Sequence, residues 1–379
     1  MPEHRAPKNG LILAVNAGSS SLKISLYRRA DERAESSGQD VVELLLTEGR
    51  EAKKESVDGI KDHAAAFAYF LEHLKNESKI ERSPSCTSAI VSCMAATILS
   101  PHNGAALSVM KSAIDSLPKA SSIAYFDTSF HRSIPLHVAS YAINPEVAHK
   151  RGLKKYGFHG LSYAYILGAV GHYLQKDTSA LNLIVMHLGS GASICAIRNG
   201  QSLDTSMGLT PVSGLPGATR SGLVDPSLIF HYTNRAGRIT HDPHQAVDVH
   251  VTQAEEILNT ESGWKALTGT SDFGDVVKNM KEHLQQQGAT KGKDVVDWQS
   301  EAKWKLAFDL FVDRILGFVG AYYVRLGGKV DALVFSGGIG EKSAELREAI
   351  VRSSECLGFQ LDEAAMRKWA SRKARLSTG

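Results

Sequence analysis

Leu11 to Val15 is a short apolar run. Asn16-Ala17 and a Gly-Ser-Ser-Ser stretch break it, and beyond them Ile24, Ser25 and Leu26 alternate in polarity. A strand-like pattern on both sides of small residues predicts a β-hairpin. Ala66, Phe67, Phe70, Leu71 and Leu74 recur at helical spacing and predict a helix over 62–78, while Ile123 to Phe126 predict a brief strand ending at Asp127. A second apolar run, Leu183 to Met186, passes through His187-Leu188 into Gly-Ser-Gly. A strand then follows from Ala192 to Arg198, and Asn199-Gly200 is the dipeptide of a two-residue hairpin turn. Farther on, the pattern predicts a long amphipathic helix over Lys303 to Leu326 and a buried strand over Val330 to Phe335. A tight loop from Ser336 to Gly340 and a helix from Ser343 to Ser353 complete the series.

Set side by side, L-A-V-N-A-G-S-S-S and V-M-H-L-G-S-G-A-S share one order: apolar strand, Gly-Ser, small residues, second strand. The repetition suggests an internal duplication, with two unrelated hairpins as the alternative. At roughly 150 residues per domain, 379 residues are expected to form two domains. Pro135 and Pro145 interrupt the periodicity, which places the expected division at 1–134 and 135–379.

Composition narrows the function classes. Lys plus Arg number 43 against 40 Asp plus Glu, a net charge of +3, so the isolated basic pairs read as solvated surface and no nucleic-acid partner is expected. The four cysteines are scattered without any C-x-x-C, so neither a zinc ribbon nor a disulfide framework is written here. No run approaches eighteen apolar residues and Met1 to Gly10 has no apolar core, so the expectation is a cytoplasmic protein with no membrane partner.

No G-x-x-x-x-G-K-[ST] occurs, and the G-x-G at 189–191 runs into a strand, which excludes a P-loop and disfavours a dinucleotide fold. Several Gly/Ser loops nevertheless follow apolar strands, and main-chain N–H groups in such loops make anion-binding concavities. Asn16, Ser19, Ser21 and Lys23 add polar side chains to the first, where Lys23 can serve a phosphoryl oxygen as a point charge or stand as an exposed hairpin lysine. Asp127 at a strand end can hold Mg²⁺, orient a nucleophile or form a turn. His159 in Tyr156-Gly-Phe-His-Gly160 is either a satisfied loop histidine or a donor to developing charge. Arg220, in a glycine-containing polar loop expected to be flexible, is either solvated or a clamp on a transferring phosphoryl group.

Seven segments in order make the chain similar to the acetate kinase family: N-A-G-S-S-S-L-K at 16–23, F-D-T-S-F-H at 126–131, Y-G-F-H-G at 156–160, H-L-G-S-G-A-S at 187–193, D-T-S-M-G-L-T-P at 204–211, A-T-R-S-G-L-V-D-P at 218–226 and S-G-G-I-G-E-K-S at 336–343. The resemblance implies an α/β fold of two duplicated actin-like (ribonuclease H-like) domains, with nucleotide in the cleft. It also implies reversible phosphoryl transfer from ATP to acetate, giving acetyl phosphate and ADP, with Mg²⁺ and in a homodimer. Under it, Asn16, Ser19, Ser21 and Lys23 match the first phosphate loop, Asp127 the essential aspartate, His159 and His187 the active-site histidines and Arg220 the catalytic arginine. Gly189, Ser190, Gly191, Asp272 and Gly338, Ile339, Gly340, Glu341 fall at the nucleotide, Asn16 and Asp127 at the metal, and Phe158 and Pro211 at the small acyl pocket. A carboxylate, with its pKa near about 4, is already a nucleophile at neutral pH, so the protein's task is positioning and charge stabilisation.

The chain departs from the family pattern at two places. Between Thr87-Ser-Ala-Ile90 and Ser100-Pro-His-Asn103 it reads V-S-C-M-A-A-T-I-L where the family carries G-H-R-V-V-H-G-G with its arginine, and the closing segment with a Mg²⁺-associated glutamate is absent before Gly379. Ser190 stands where many members have asparagine, and Gly274 where many have arginine against the adenosine. These departures imply reduced turnover, and they keep open two alternatives: a non-catalytic nucleotide-binding relative, or a propionate or butyrate kinase.

Overall fold

In the computed structural model, residues 11–17, 22–28, 67, 86–93, 104–118, 120–241, 250–289 and 302–360 are described. The first predicted hairpin forms: β1 (Leu11–Ala17) pairs antiparallel with β2 (Leu22–Arg28), Val15 opposite Ile24 and Asn16 opposite Lys23. On the far side of β1 lies β3 (Cys86–Cys93), parallel to it, and after helix α1 (Gly104–Ser116) strand β4 (Ser121–Phe126) adds in parallel to β3. The sheet order is β2-β1-β3-β4. Of the helix expected over 62–78 only Phe67 is described, helical and fully buried; the remainder lies outside the described residues.

By packing, the chain divides into two units, one made of residues up to Asp127 plus Thr240–Val251, the other of the remainder. Residues 128–134 go with the second unit because His131 and Ser133 both bond Ser202 there.

The second unit is built on the second predicted hairpin. Helices α2 (Pro145–Arg151) and α3 (Gly160–Leu174) precede β5 (Leu183–Leu188), which pairs antiparallel with β6 (Ala192–Arg198), itself antiparallel to β7 (Gln201–Thr205). Asn199 and Gly200 join β6 to β7 with φ of 49° and 72°, the left-handed pair that a type I′ turn requires. After a short ribbon, β8 (Ile239–His241) and β9 (His250–Thr252), most of which belongs to the first unit, come α4 (Gln253–Thr260), α5 (Gly263–Thr268), α6 (Phe273–Ala289) and α7 (Ala302–Arg325). Strand β10 (Ala332–Ser336) then returns parallel to β5, giving the order β10-β5-β6-β7.

Both faces of this sheet are covered. Ile184, Met186, Leu188 and Ile194 pack against Trp264, Phe273, Phe311 and Ile315, while Leu183, Val185, Cys195 and Ile197 pack against Tyr163, Ile166 and Leu181 on the other side. That is why Leu183 to Met186 reads as an unbroken apolar run, each fully buried side chain contributing roughly 1.5–3 kcal/mol.

Two local expectations are corrected. The strand expected to be buried over Val330 to Phe335 is β10, which starts two residues later, ends one later and is half-buried throughout, because its only described neighbour in the sheet is β5. The expected tight loop after it is helix α8 (Gly337–Lys342), followed by α9 (Ala344–Ser353), which Ser343 caps by accepting from the Leu346 N–H. The chain turns from strand into helix at Gly337, whose φ is 78° and where a Cβ would stand 2.6 Å from the Leu188 carbonyl oxygen, so only glycine fits. No helix among the described residues is long and apolar enough to cross a membrane.

Candidate active site

His159 is presented by a local conformation that few residues adopt. It sits immediately before α3 with φ of 61°, preceded by Gly157 at 73°. A Cβ on Gly157 would lie 2.6 Å from both the His131 ring and Thr205. The segment is tied down on all sides. The N–H groups of Tyr156 and Gly157 both donate to the Gly208 carbonyl, and Lys155 reaches Asp204 at 2.5 Å and the Thr205 carbonyl at 3.0 Å. His131 Nε2 donates to the Phe158 carbonyl at 3.0 Å, so its Nδ1 is bare and accepts from Ser202 Oγ at 2.8 Å. Burial holds the His131 pKa down at about 4, so this neutral form persists. Sequence reasoning assigned His131 no role; its signal was a histidine with no partner visible nearby in the chain.

His187, near the end of β5, faces His159 directly: the ring centroids are 4.2 Å apart with planes inclined by 31°. Each ring is held at Nδ1 by a serine hydroxyl, His159 by Ser193 on β6 and His187 by Ser162 on α3, both at 2.8 Å. Both imidazoles are pushed below their ordinary pKa, His187 by burial and His159 by burial reinforced by His187, Arg220 and His131. They are neutral at pH 7.

Arg220 completes the cluster. A Cβ on Gly191 would lie 3.2 Å from Arg220 Nη1 and 3.8 Å from His159 Nε2, so the glycine leaves the space in which both groups converge. The loop carrying Arg220 is not flexible, contrary to the sequence expectation. The carbonyls of Gly217, Ala218 and Thr219 accept from the N–H groups of Trp264, Lys265 and Ser262, the Ser221 N–H donates to Leu258, and Ala218 N–H donates to the Ser190 carbonyl at 2.8 Å. Burial lowers the Arg220 pKa, although a guanidinium stays charged at any physiological pH. Among the described residues Arg220 has no carboxylate partner. A half-buried cation with no carboxylate partner among the described residues, beside two neutral imidazoles, is a place for an anion.

Beside this cluster the second unit has a cavity of about 850 Å³. Its walls bring together Gly189 and Ser190 from the β5–β6 loop, Asp272, Phe273 and Gly274 at the start of α6, and Gly338 and Ile339 from α8. Lys278, Lys281 and Lys342 also line it; none was singled out in the sequence, because their spacing makes sense only once α6 and α8 are seen to face one another. Lys281 is paired with Glu345 at 2.7 Å. Of the other expected nucleotide residues, Gly191 lies on the Arg220 side, Gly340 is buried, and Gly340 and Glu341 give their carbonyls to Arg347 on α9 at 2.8 and 2.7 Å. Phe158 is buried beneath His159, and Pro211 is buried in the loop that follows β7.

The remaining expected residues belong to the first unit. Asn16 and Lys23 are register partners next to the end of the hairpin, while Ser19 and Ser21 lie outside the described residues. Asn16 is level with Ser92 on β3, Ser92 with Tyr125 on β4, and Asp127 follows two residues later, so Asn16 and Asp127 stand at the carboxyl edge of parallel strands. Hard oxygen donors of this kind suit Mg²⁺, which takes one or two carboxylates and fills its sphere with water and phosphate oxygens.

The sequence model of the acetokinase family matches residues 86–378. A probable acetate kinase of Emericella nidulans is 42% identical over 93% of this chain and 86% of its own length, and acetate kinase 2 of Listeria monocytogenes is 35% identical over 93% and 88%. Among solved structures, the acetate kinase of Porphyromonas gingivalis superposes with a TM-score of 0.69 at 27% identity, covering 92% of this chain and 88% of its own. A propionate kinase of Francisella tularensis does so with 0.69 at 28%, covering 93% and 90%. The duplicated hairpins, the imidazole pair and the arginine loop thus occur in a chain whose sequence and fold agree with one group of phosphotransferases nearly end to end: it belongs to the acetokinase family.

Proposed function

We propose that this protein transfers the γ-phosphoryl group of ATP to acetate, reversibly, forming acetyl phosphate and ADP. One acetate oxygen forms a bond to the γ-phosphorus as the bond from that phosphorus to the β–γ bridging oxygen breaks, and the electron pair leaves on ADP. The observation that carries the reading is the convergence of Arg220 Nη1 and His159 Nε2 over Gly191, a preformed donor set for an anion, beside a cavity large enough for a nucleotide. Arg220 covers the charge that spreads over the equatorial oxygens during transfer, and His159 and His187 add donors without adding full charges. Gly189, Ser190, Gly338 and Ile339 support the nucleotide through main-chain groups, Asp272 lies at the same cavity, and Lys23 serves the phosphates. Asn16 and Asp127 would hold Mg²⁺, which neutralises charge on the β- and γ-phosphates when bound. Phe158 and Pro211 bound the acyl group. The same reading makes the working assembly a homodimer in the cytoplasm.

Hydroxamate trapping with ATP, Mg²⁺ and a series of short carboxylates tests this. Acetate is expected to give the highest kcat/KM, with propionate second. A folded protein that traps no acyl phosphate from any of them overturns the reading.

A further inference from the structure

Ser193 and Tyr163 are both fully buried, and neither belongs to the set of groups expected to touch substrate. Ser193 lies on β6 directly across from His187, and its Oγ stands 2.8 Å from His159 Nδ1. Tyr163 is one helical turn beyond His159, its N–H donating to the His159 carbonyl at 3.0 Å, and its phenol hydroxyl forms a short hydrogen bond with the same Ser193 Oγ. The three groups form a line from the core to the site: phenol, hydroxyl, imidazole.

We propose that Tyr163 and Ser193 are positioning residues, a two-hydroxyl relay that holds His159 as the tautomer with its proton on Nε2, ready to donate to the transferred phosphoryl group. The proposal rests on the reading of His159 as such a donor. Tyr163 O–H donates to Ser193 Oγ, Ser193 O–H donates to His159 Nδ1, and the imidazole proton is thereby left on Nε2, the nitrogen turned toward Gly191 and Arg220. In the opposite arrangement Nδ1–H would donate to Ser193, and Nε2 would present a lone pair to an anion held by Arg220.

The same molecule contains the parallel case. His131 Nε2 faces the Phe158 carbonyl, which can only accept, so Ser202 must donate to His131 Nδ1. A serine hydroxyl at Nδ1 with the proton on Nε2 is how a second, neighbouring histidine is already held. His187 on β5, Arg220 on its loop and His131, whose ring is 5.7 Å from that of Tyr163, all act on His159 and favour its neutral form, while Tyr322 on α7 and Cys195 on β6 are the titratable groups on the Tyr163 side. With the neutral form favoured, the choice of tautomer is the remaining freedom of the ring, and the proposed direction of the relay makes that choice.

The test is ¹⁵N NMR of the histidine ring nitrogens in the full chain, with His159 assigned among the 15 histidines by difference from His159→Gln. In the unsubstituted protein the His159 pattern is expected to place the proton on Nε2. Tyr163→Phe and Ser193→Ala are expected to give mixed tautomers and to lower kcat, Ser193→Ala by roughly thirtyfold and Tyr163→Phe by roughly fivefold, with KM for ATP within about twofold. Ser193→Thr keeps the hydroxyl and is expected to recover kcat to within about threefold. A proton found on Nδ1 in the unsubstituted protein overturns the relay, and this measurement needs no variant of Ser193 or Tyr163 to fold. Folded variants that lose activity with the tautomer unchanged overturn it as well, making both residues packing groups. An unsubstituted protein with Nε2–H that forms no acyl phosphate would leave the relay standing and remove the proposed reaction instead.

Discussion

The two hairpin ends are the same backbone device carrying different chemistry. In the first unit Asn16 pairs with Lys23 on one side and is level with Ser92 of the parallel strand on the other; in the second, His187 pairs with Ser193 and is level with Ser336. In both, the row described lies one residue before the last pair of the hairpin, Ala17 with Leu22 and Leu188 with Ala192. Three strands therefore correspond: β1 with β5, β2 with β6, β3 with β10. Asparagine and lysine are the residue types of the row in the first unit, histidine and serine those in the second. A duplicated sheet edge fixes where side chains can be placed, and the residue type at each place then divides the work. Under the proposed function the first edge would serve a metal and phosphate oxygens, and the second uncharged donors beside one guanidinium.

The most direct way to break this division is Arg220→Ala, which removes the cation beside the imidazole pair of the second unit. Turnover is expected to fall by roughly a thousandfold, while the Kd for Mg-ATP from calorimetry changes by less than about threefold, because the guanidinium acts on charge that develops in transfer. Equal losses in both would make Arg220 a ground-state contact. Lys23→Ala acts on the sheet edge of the first unit and is expected to lower kcat/KM for ATP by roughly a hundredfold, with much of the change in KM, as measured by initial rates over a range of ATP concentrations.

A finer probe is Gly191→Ala. Its backbone is not in the left-handed region, so the cost comes from the added methyl group 3.2 Å from Arg220 Nη1. About a tenfold loss in kcat is expected with an unchanged thermal midpoint. A last probe reads stability instead of turnover. His131 has a pKa of about 4 in the folded protein against 6.5 as the ordinary value, so between those limits the unfolded chain binds more protons. Its contribution is complete above pH 6.5 and is lost as pH falls toward 4, on the order of 3 kcal/mol in all. Denaturant unfolding of the second unit at pH 7 and pH 4.5 should show this loss, and His131→Asn should flatten it.

Much of this was legible in the chain. The two hairpins follow from apolar runs flanking Gly/Ser turns, and the β6–β7 turn follows from Asn199-Gly200, since left-handed φ at both positions is a local demand. The helix expected over Lys303 to Leu326 is α7, one residue earlier at each end, because a 3.6-residue period sustained that long has few other solutions. The Ser336 to Gly340 segment was misread as a loop because its glycines hide a helix that is set by the close approach of Gly337 to Leu188, a contact between residues far apart in the chain.

By itself, the sequence determined which residue types stand at the ends of strands, that a Gly/Ser turn follows each, and that the device occurs twice. Those are consequences of local periodicity and backbone sterics, which act within a few residues. Tertiary structure alone decided that the loop carrying Arg220 is tied down by main-chain hydrogen bonds and that Arg220 has no carboxylate partner among the described residues, that α6 and α8 face one another across a cavity lined by Lys278 and Lys342, and that Ser193 and Tyr163 stand behind His159. Burial and hydrogen bonding between distant segments set those properties. Neither is a function of spacing along the chain: the acidity of a histidine depends on what has been packed around it, and its tautomer on which hydroxyl the fold brings to its second nitrogen.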